Sequence, residues 1–145
     1  MPAEGVTVVT VADGDTFSAR DATGGRVRVR ILGIDAPETA KDGQQAQCGA
    51  DQARDALGAL LRPGQLVALE TDPATETTDR YGRRLAYVNA DGRDVGAELI
   101  GAGMVEAWQP RSAAEHGRTD RYRAAQTAAQ KARAGLWATC PGIGR

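Results

Sequence analysis

Two turns early in the chain carry carboxylates, and a hairpin between strands at about 15–21 and 26–34 should place Asp15 beside Asp35. Asp15 ends the turn DGD, whereas Asp35 and Glu38 surround Pro37. Two adjacent carboxylates repel each other, and the pKa of one rises unless a cation lies between them. Ca²⁺ is a hard cation that binds such oxygen ligands, and Pro37 favours the extended backbone that can present the Ala36 carbonyl. The pattern therefore predicts a cation site, although a plain hairpin turn explains DGD equally well.

A row of arginines precedes the second pair of acids. In the stretch RVRVRI, Arg26, Arg28 and Arg30 share one face of a strand, because side chains alternate along it. Arg30 is nearest to the acids, and Arg83 opens a later strand in DRYGRRLAYV. Two guanidinium groups that face a metal-bound phosphate stabilise the charge of phosphoryl transfer, and Glu38 is a candidate to take a proton from water. We interpret Arg26 and Arg28 as a solvated strand face.

The elements that must position these residues follow from hydrophobic periodicity and turn residues. Strands are predicted at about 5–11, 15–21 and 26–34, then in QLVALET and in RLAYVNADG. Helices are predicted over 44–61, over DVGAELIGAGM with a stop near Gly103, and over about 119–134, with Thr119 or Asp120 as N-cap and Gly135 as terminator. This order predicts an α+β fold, a small antiparallel barrel that carries helices.

Composition limits the class of protein. A chain of 145 residues suits one domain, and no apolar run approaches the roughly 18 residues of a membrane span. A net charge of −1 does not suggest a non-specific nucleic-acid binder. The first ten residues lack an export signal, which indicates a cytoplasmic chain or a signal that has been removed.

The cysteines and the histidine give weaker indications. Two cysteines, Cys48 and Cys140, are compatible with one disulfide. His116 lies in the polar stretch AAEHGRTD, which predicts an exposed side chain. The spacing of these three residues fits no zinc-finger pattern.

Several motifs together resemble one known family. The stretches VADGDTF, RILGIDAPET, DRYGRRLAYV and DGRDVGAELIGAGMVEA are similar to those of the staphylococcal nuclease (thermonuclease) family, from about residue 5 to 137. The resemblance implies a single domain over 1–145, with a five-stranded antiparallel OB-fold barrel, three helices and a tail at 138–145. It also implies Ca²⁺-dependent hydrolysis of phosphodiester bonds in DNA and RNA, with single strands favoured, 3′-phosphate ends and a monomeric enzyme.

The resemblance assigns roles by motif position. It implies calcium ligands at Asp15, Asp35 and the Ala36 carbonyl, and catalytic roles for Arg30, Arg83 and Glu38 as general base. It further implies that nucleotide and phosphate groups contact Arg80, Tyr81 and Trp108.

Two departures from the family pattern matter. The family prototype is strongly basic, so we expect weaker non-specific affinity that salt reduces more easily. The prototype also lacks both cysteines. In the barrel-plus-helices arrangement the tail can run past the first helix, so we expect Cys48 and Cys140 to be bridged, with free thiols as the alternative. A disulfide and family habit favour a secreted, periplasmic or cell-surface location. The competing interpretations are an inactive nucleic-acid- or protein-binding module on the same fold and a small-ligand or structural barrel.

Overall fold

Five strands close a small barrel in a computed structural model that describes residues 4–111 and 114–144. The ends of the predicted domain, 1–3 and 145, lie outside the described residues. The strands are β1 (Glu4–Val11), β2 (Thr16–Arg20), β3 (Arg26–Ile31), β5 (Leu66–Glu70) and β6 (Arg84–Ala90), with β4 (Ile34–Asp35) as a short strand outside the barrel. Neighbours run in the order β3-β2-β1-β5-β6, and β3 returns to pair with β6. The OB-fold prediction is confirmed, but the closing pair β3–β6 is parallel.

Two further short strands and four helices complete the fold. The strand β7 (Arg93–Asp94) pairs antiparallel with the end of β6, and β8 (Glu106–Ala107) pairs with β4. The helices are α1 (Ala50–Leu60), α2 (Val95–Gly101), α3 (Thr119–Ala132) and α4 (Leu136–Thr139). Three helices were expected. The fourth is a single turn that begins after Gly135, and it buries Leu136.

The barrel encloses the hydrophobic core because its strands alternate inward and outward residues. Phe17, Val29, Ile31 and Val88 are fully buried inside it. The helices α1 and α2 pack on this core with Leu57 and Leu99, which are also buried. No helix of the described residues has the length and apolarity that a membrane crossing requires.

Two predicted boundaries are wrong because glycine changes the backbone direction. The helix predicted over 44–61 begins only at Ala50, after Gly49 in the left-handed conformation (φ 83°). The strand predicted over 26–34 ends at Ile31, because Gly33 also adopts a positive φ (88°) and turns the chain into β4. A side chain at Gly33 would lie 2.8 Å from the imidazole of His116, so this turn needs glycine for space as well.

The ends of the last long helix also differ from the prediction. The N-cap of α3 is Arg118 and makes no side-chain cap, whereas Thr119 and Asp120 lie inside the first turn. The helix ends at Ala132, and Arg133 takes the left-handed conformation (φ 51°) two residues before the predicted terminator, Gly135.

The predicted exposure of His116 is wrong, since its exposed fraction is only 6%. The Nδ1 atom lies 2.8 Å from the hydroxyl of Tyr87, and this hydroxyl donates to Asp72 at 2.6 Å. The polar neighbours of His116 along the chain did not indicate these partners, because both lie far away in the sequence. We call Asp72, Tyr87 and His116 the buried network.

The expected disulfide is present. Cys48 and Cys140 are bonded, with their Cα atoms 5.9 Å apart and a sequence separation of 92. The bond fastens the tail after α4 beside the loop that precedes α1. Ile143 of this tail is buried, so the tail packs on the domain.

Candidate active site

Arg30 lies between the two predicted ligand carboxylates. Its Nη2 atom is 3.5 Å from Asp15 Oδ2 and 3.4 Å from Asp35 Oδ1. Its Nη1 atom donates to the backbone carbonyls of Ile31 and Ile34, both at 2.8 Å. The guanidinium is therefore fixed by backbone groups at the point where β3 ends, and it holds both acids within reach of one another.

The DGD turn approaches the Asp35 loop as closely as a glycine allows. A Cβ atom at Gly14 would lie 2.7 Å from the Cβ of Ala36 and 2.8 Å from that of Ala53. The close approach lets Asp15 Oδ2 accept the backbone N–H of Ala36 at 2.9 Å, while Oδ1 accepts the Thr16 hydroxyl at 3.0 Å. Asp15, just before β2, is thus fixed against the residue whose carbonyl is the third predicted ligand.

The acids of this site carry more negative charge than their neighbours balance. Burial raises the pKa of Asp35 to about 6; Arg30 lowers it, but the charges of Asp15, Glu106 and Glu38 raise it again. Burial also raises the pKa of Asp13 to about 7, together with its hydrogen bond and charge interaction with Asp15. One arginine does not compensate this cluster, so a further cation would find a favourable place there.

Glu38 lies at the exposed rim of the site, 3.6 Å from the ammonium group of Lys41. Its backbone is held by Gln47, whose side-chain Oε1 accepts the Glu38 N–H at 2.7 Å. The amide nitrogen of the same side chain donates to the Gly144 carbonyl at 3.1 Å. Gln47 therefore links the Glu38 loop to the tail that the disulfide fastens. Sequence reasoning missed Gln47, since it was assigned to a helix.

The second arginine is held by a self-contained loop. Asp79 accepts the backbone N–H groups of Tyr81 and Arg83 at 2.9 Å, and it accepts Arg83 Nε at 2.8 Å. Gly82 has a positive φ (79°) that closes the turn. The guanidinium carbons of Arg80 and Arg83 lie 4.9 and 5.4 Å from the ring centre of Tyr81. Asp79 was also missed, although its place four residues before Arg83 is a signal for such a loop.

Trp108 lies at the site, beside Arg30. The guanidinium carbon of Arg30 is 5.8 Å from the centre of the Trp108 ring, and the Trp108 backbone N–H donates to the Gly33 carbonyl at 2.9 Å. Trp108 and Tyr81 are 46% and 57% exposed, unusual values for large aromatic side chains. Each of these exposed rings therefore lies beside one of the two predicted catalytic arginines.

The residues present fit a hard cation that takes only some of its ligands from the protein. Asp15 and Asp35 supply carboxylate oxygens, and the backbone at Ala36 supplies a carbonyl, all of the type that Ca²⁺ prefers. Within 4–111 and 114–144, no group of three or more His, Cys, Asp or Glu side chains is arranged to hold a metal ion. A site built here needs water or substrate oxygens to complete its ligands.

Comparison with known proteins decides the family. A family model described as staphylococcal nuclease homologue matches residues 28–139. The chain belongs to the staphylococcal nuclease family. Thermonuclease from Staphylococcus hyicus is 34% identical over 130 residues, which cover 90% of this chain and 73% of that protein.

Other relatives in this family are longer proteins. Probable endonuclease lcl3 from Pyrenophora tritici-repentis is 30% identical over 159 residues, covering 90% of this chain and 57% of that protein. Endonuclease YhcR from Bacillus subtilis is 30% identical over 141 residues, covering 92% of this chain and 11% of that protein. The chain spans 38% to 57% of the length of three fungal relatives that are named probable endonucleases.

Proposed function

We propose that this chain is a Ca²⁺-dependent nuclease that hydrolyses phosphodiester bonds in DNA and RNA with little sequence specificity. The observation that carries the proposal is Arg30, fixed by two backbone carbonyls between Asp15 and Asp35 and beside the exposed ring of Trp108. A structural barrel has no use for a partly buried arginine and acids whose pKa values are raised. Membership of a family of nucleases supports the same assignment.

The chemistry divides among the residues by charge. Bound at Asp15, Asp35 and the Ala36 carbonyl, Ca²⁺ would neutralise the phosphate and fix its position. Arg30 and Arg83 donate to the phosphate oxygens, where negative charge grows in the transition state. Glu38 accepts a proton from the attacking water, because it is the acid at the exposed rim of the site.

Nucleotide binding is assigned to the aromatic residues at the rim. Tyr81 and Trp108 offer exposed rings on which bases stack, and stacking is tolerant of sequence because every base has a π-face. Arg80, stacked on Tyr81, is placed to contact a terminal phosphate. Single strands are therefore the favoured substrates, and 3′-phosphate products are expected from the family resemblance.

The proposal also covers the location of the protein and its oligomeric state. The Cys48–Cys140 bond favours an oxidising compartment, which means a secreted, periplasmic or cell-surface location. We further propose that residues 1–145 form one domain that acts as a monomer.

One assay tests this function. Single-stranded DNA, RNA and a plasmid are incubated with the chain in Ca²⁺, in Mg²⁺ and in EDTA, and the product ends are mapped. We expect cleavage in Ca²⁺, little in Mg²⁺ and none in EDTA. Glu38→Gln should lose turnover, whereas the matched control Glu98→Gln, at an exposed position on helix α2, should retain it. Tight binding of all substrates without cleavage would favour an inactive binding module instead.

A further inference from the structure

A groove lined by arginines lies next to the candidate active site. It has a volume of about 720 Å³ and is lined by Arg26, Arg28 and Arg84, with the hydroxyl residues Ser18 and Thr78 and with Gly82. We call it the arginine groove. Three of the chain's 16 arginines line it, although the whole chain has a net charge of −1. The groove is thus a local concentration of positive charge on an otherwise balanced protein.

Two arginines of the groove, Arg26 and Arg28, lie on the same strand, β3, and on the same face as Arg30. Arg28 precedes Arg30 by two positions, and alternate residues of a strand recur every 6.6–6.8 Å or so. This step is comparable with the separation of neighbouring phosphates in an extended nucleic-acid strand. Arg28 Nη2 also donates to the Tyr81 carbonyl, so the groove borders the loop that holds Arg83.

The acids near the groove do not neutralise the positive charge of its three arginines. Asp21 lines the groove, but its carboxylate accepts the Thr23 hydroxyl at 2.6 Å and the Gly25 N–H at 2.9 Å. Arg84 forms an ion pair with Glu4. Arg26 is exposed and makes no ion pair with any residue in 4–111 or 114–144. At least Arg26 and Arg28 are therefore open to an anionic partner.

We infer that the arginine groove binds the phosphate backbone of a nucleic-acid strand beyond the phosphate that is cut. The inference rests on the proposed function, and it names where the substrate continues. Arginine, serine and threonine side chains are the groups that contact phosphate in nucleic-acid complexes. The groove gives this chain a path for a strand without the overall basic charge that such binding usually requires.

The test separates strand binding from hydrolysis. Binding of a fluorescein-labelled oligodeoxynucleotide is measured by anisotropy in EDTA over a range of salt concentrations, for the wild-type chain, for Arg26→Ala and for Arg26→Ala with Arg28→Ala. Removing one arginine that binds a phosphate should reduce the slope of log K against log salt by about 0.7, so the double variant should show a reduction of about 1.4. The matched control is Arg62→Ala, an exposed arginine outside the groove, which should keep the wild-type slope.

Substrate length provides the second measurement. The ratio of kcat/KM on a long single strand to kcat/KM on a dinucleotide should fall about fivefold or more in the double variant, because only the long strand reaches the groove and each phosphate–arginine pair adds to its affinity. Circular dichroism confirms the fold of each variant. If the double variant kept both the wild-type salt slope and the wild-type kcat/KM ratio, the inference that the groove binds the strand would be wrong. Because the salt slope is measured in EDTA, it is independent of whether the chain cleaves the strand, so the proposed function can fail separately.

Discussion

Asp72 of the buried network and the carboxylates of the candidate active site have opposite surroundings. In the buried network, burial by itself would raise the pKa of Asp72, but hydrogen bonds from Tyr87, Gly117 and Ala74 outweigh it and lower the pKa. In the candidate active site, burial also raises the pKa of Asp35; Arg30 opposes this effect, but the neighbouring acids add to it. The hydrogen bonds to Asp72 satisfy its charge in the folded chain, whereas the acids around Asp35 lack enough positive charge nearby.

This difference separates a group that stabilises the fold from a group that we propose to bind a cation. A carboxylate that accepts several hydrogen bonds stabilises the fold in its charged form. Acids held close together without enough partners reduce stability, and proteins keep such arrangements at functional sites. The comparison makes quantitative predictions, because changes in one group should affect the free energy of unfolding and changes in the other should affect activity.

The largest effect on stability is expected from the disulfide, which fastens the tail that Gln47 links to the Glu38 loop. Replacing Cys48 and Cys140 by serine releases a closed loop of about 90 residues and should lower the free energy of unfolding by at most ~4–5 kcal/mol. Urea denaturation followed by circular dichroism measures it. Reductant should shift the wild-type midpoint but not that of the double variant. An unchanged wild-type midpoint in reductant would contradict the prediction.

The next effect concerns activity alone. Arg83→Lys keeps the positive charge but removes the planar guanidinium that can donate twice to phosphate. We expect kcat on single-stranded DNA at saturating Ca²⁺ to fall on the order of 10²-fold or more, by analogy with the loss of an oxyanion donor. Arg93→Lys, at an exposed position on β7, is the matched control and should retain activity. Near-wild-type turnover of Arg83→Lys would remove Arg83 from the proposed mechanism.

A pair of aspartate variants tests the comparison directly. Asp72→Ala leaves the Tyr87 hydroxyl and the Gly117 N–H without their acceptor, which should cost about 2–3 kcal/mol of unfolding free energy. Asp35→Ala removes a carboxylate that its neighbours repel, so its cost should be below about 1 kcal/mol, yet it should abolish Ca²⁺-dependent activity. Thermal denaturation in EDTA and the nuclease assay measure the two. Equal destabilisation by both variants would show that the two groups do not differ as described.

How much the sequence could predict depended on the range of the interactions. Alternation and turn residues predicted the five barrel strands, and the motif positions placed Asp15, Asp35 and Arg30 in one cluster. The local sequence pattern gave the wrong prediction where a contact with a distant residue determined the backbone conformation. Gly49 looked like part of a helix, yet a side chain there would lie 2.5 Å from the methyl carbons of Leu136, a residue far along the chain.

The same reason explains the groups that were missed. His116 has polar neighbours in the chain, and only the tertiary structure brings Tyr87 and Asp72 against it. Gln47 joins Glu38 to Gly144, which lies 97 positions away, so no local spacing could reveal its role. The cluster of Asp15, Asp35 and Arg30 could be predicted from the sequence, whereas the groups that hold its loops in place could not.

The smallest effect is the pH dependence that His116 contributes. Burial lowers its pKa, and Arg118 and Arg123 lower it further, although Asp72 opposes them. Below its ordinary pKa of about 6.5, the unfolded chain binds a proton that the folded chain resists, so the free energy of unfolding must fall as the pH falls. A single proton limits this slope to about 1.4 kcal/mol per pH unit.

The measurement is the difference in unfolding free energy between the wild-type chain and His116→Gln, from urea titrations in EDTA between about pH 7.5 and 5, a range that brackets the ordinary histidine pKa. Asp13 and Asp35, whose raised pKa values act in the opposite direction, titrate in both proteins and cancel in the difference. We expect a constant difference above about pH 6.5 and a growing relative gain for the variant below it. A flat difference curve over the whole range would mean that His116 takes up its proton as readily in the folded chain as in the unfolded one, which would contradict its place in the buried network.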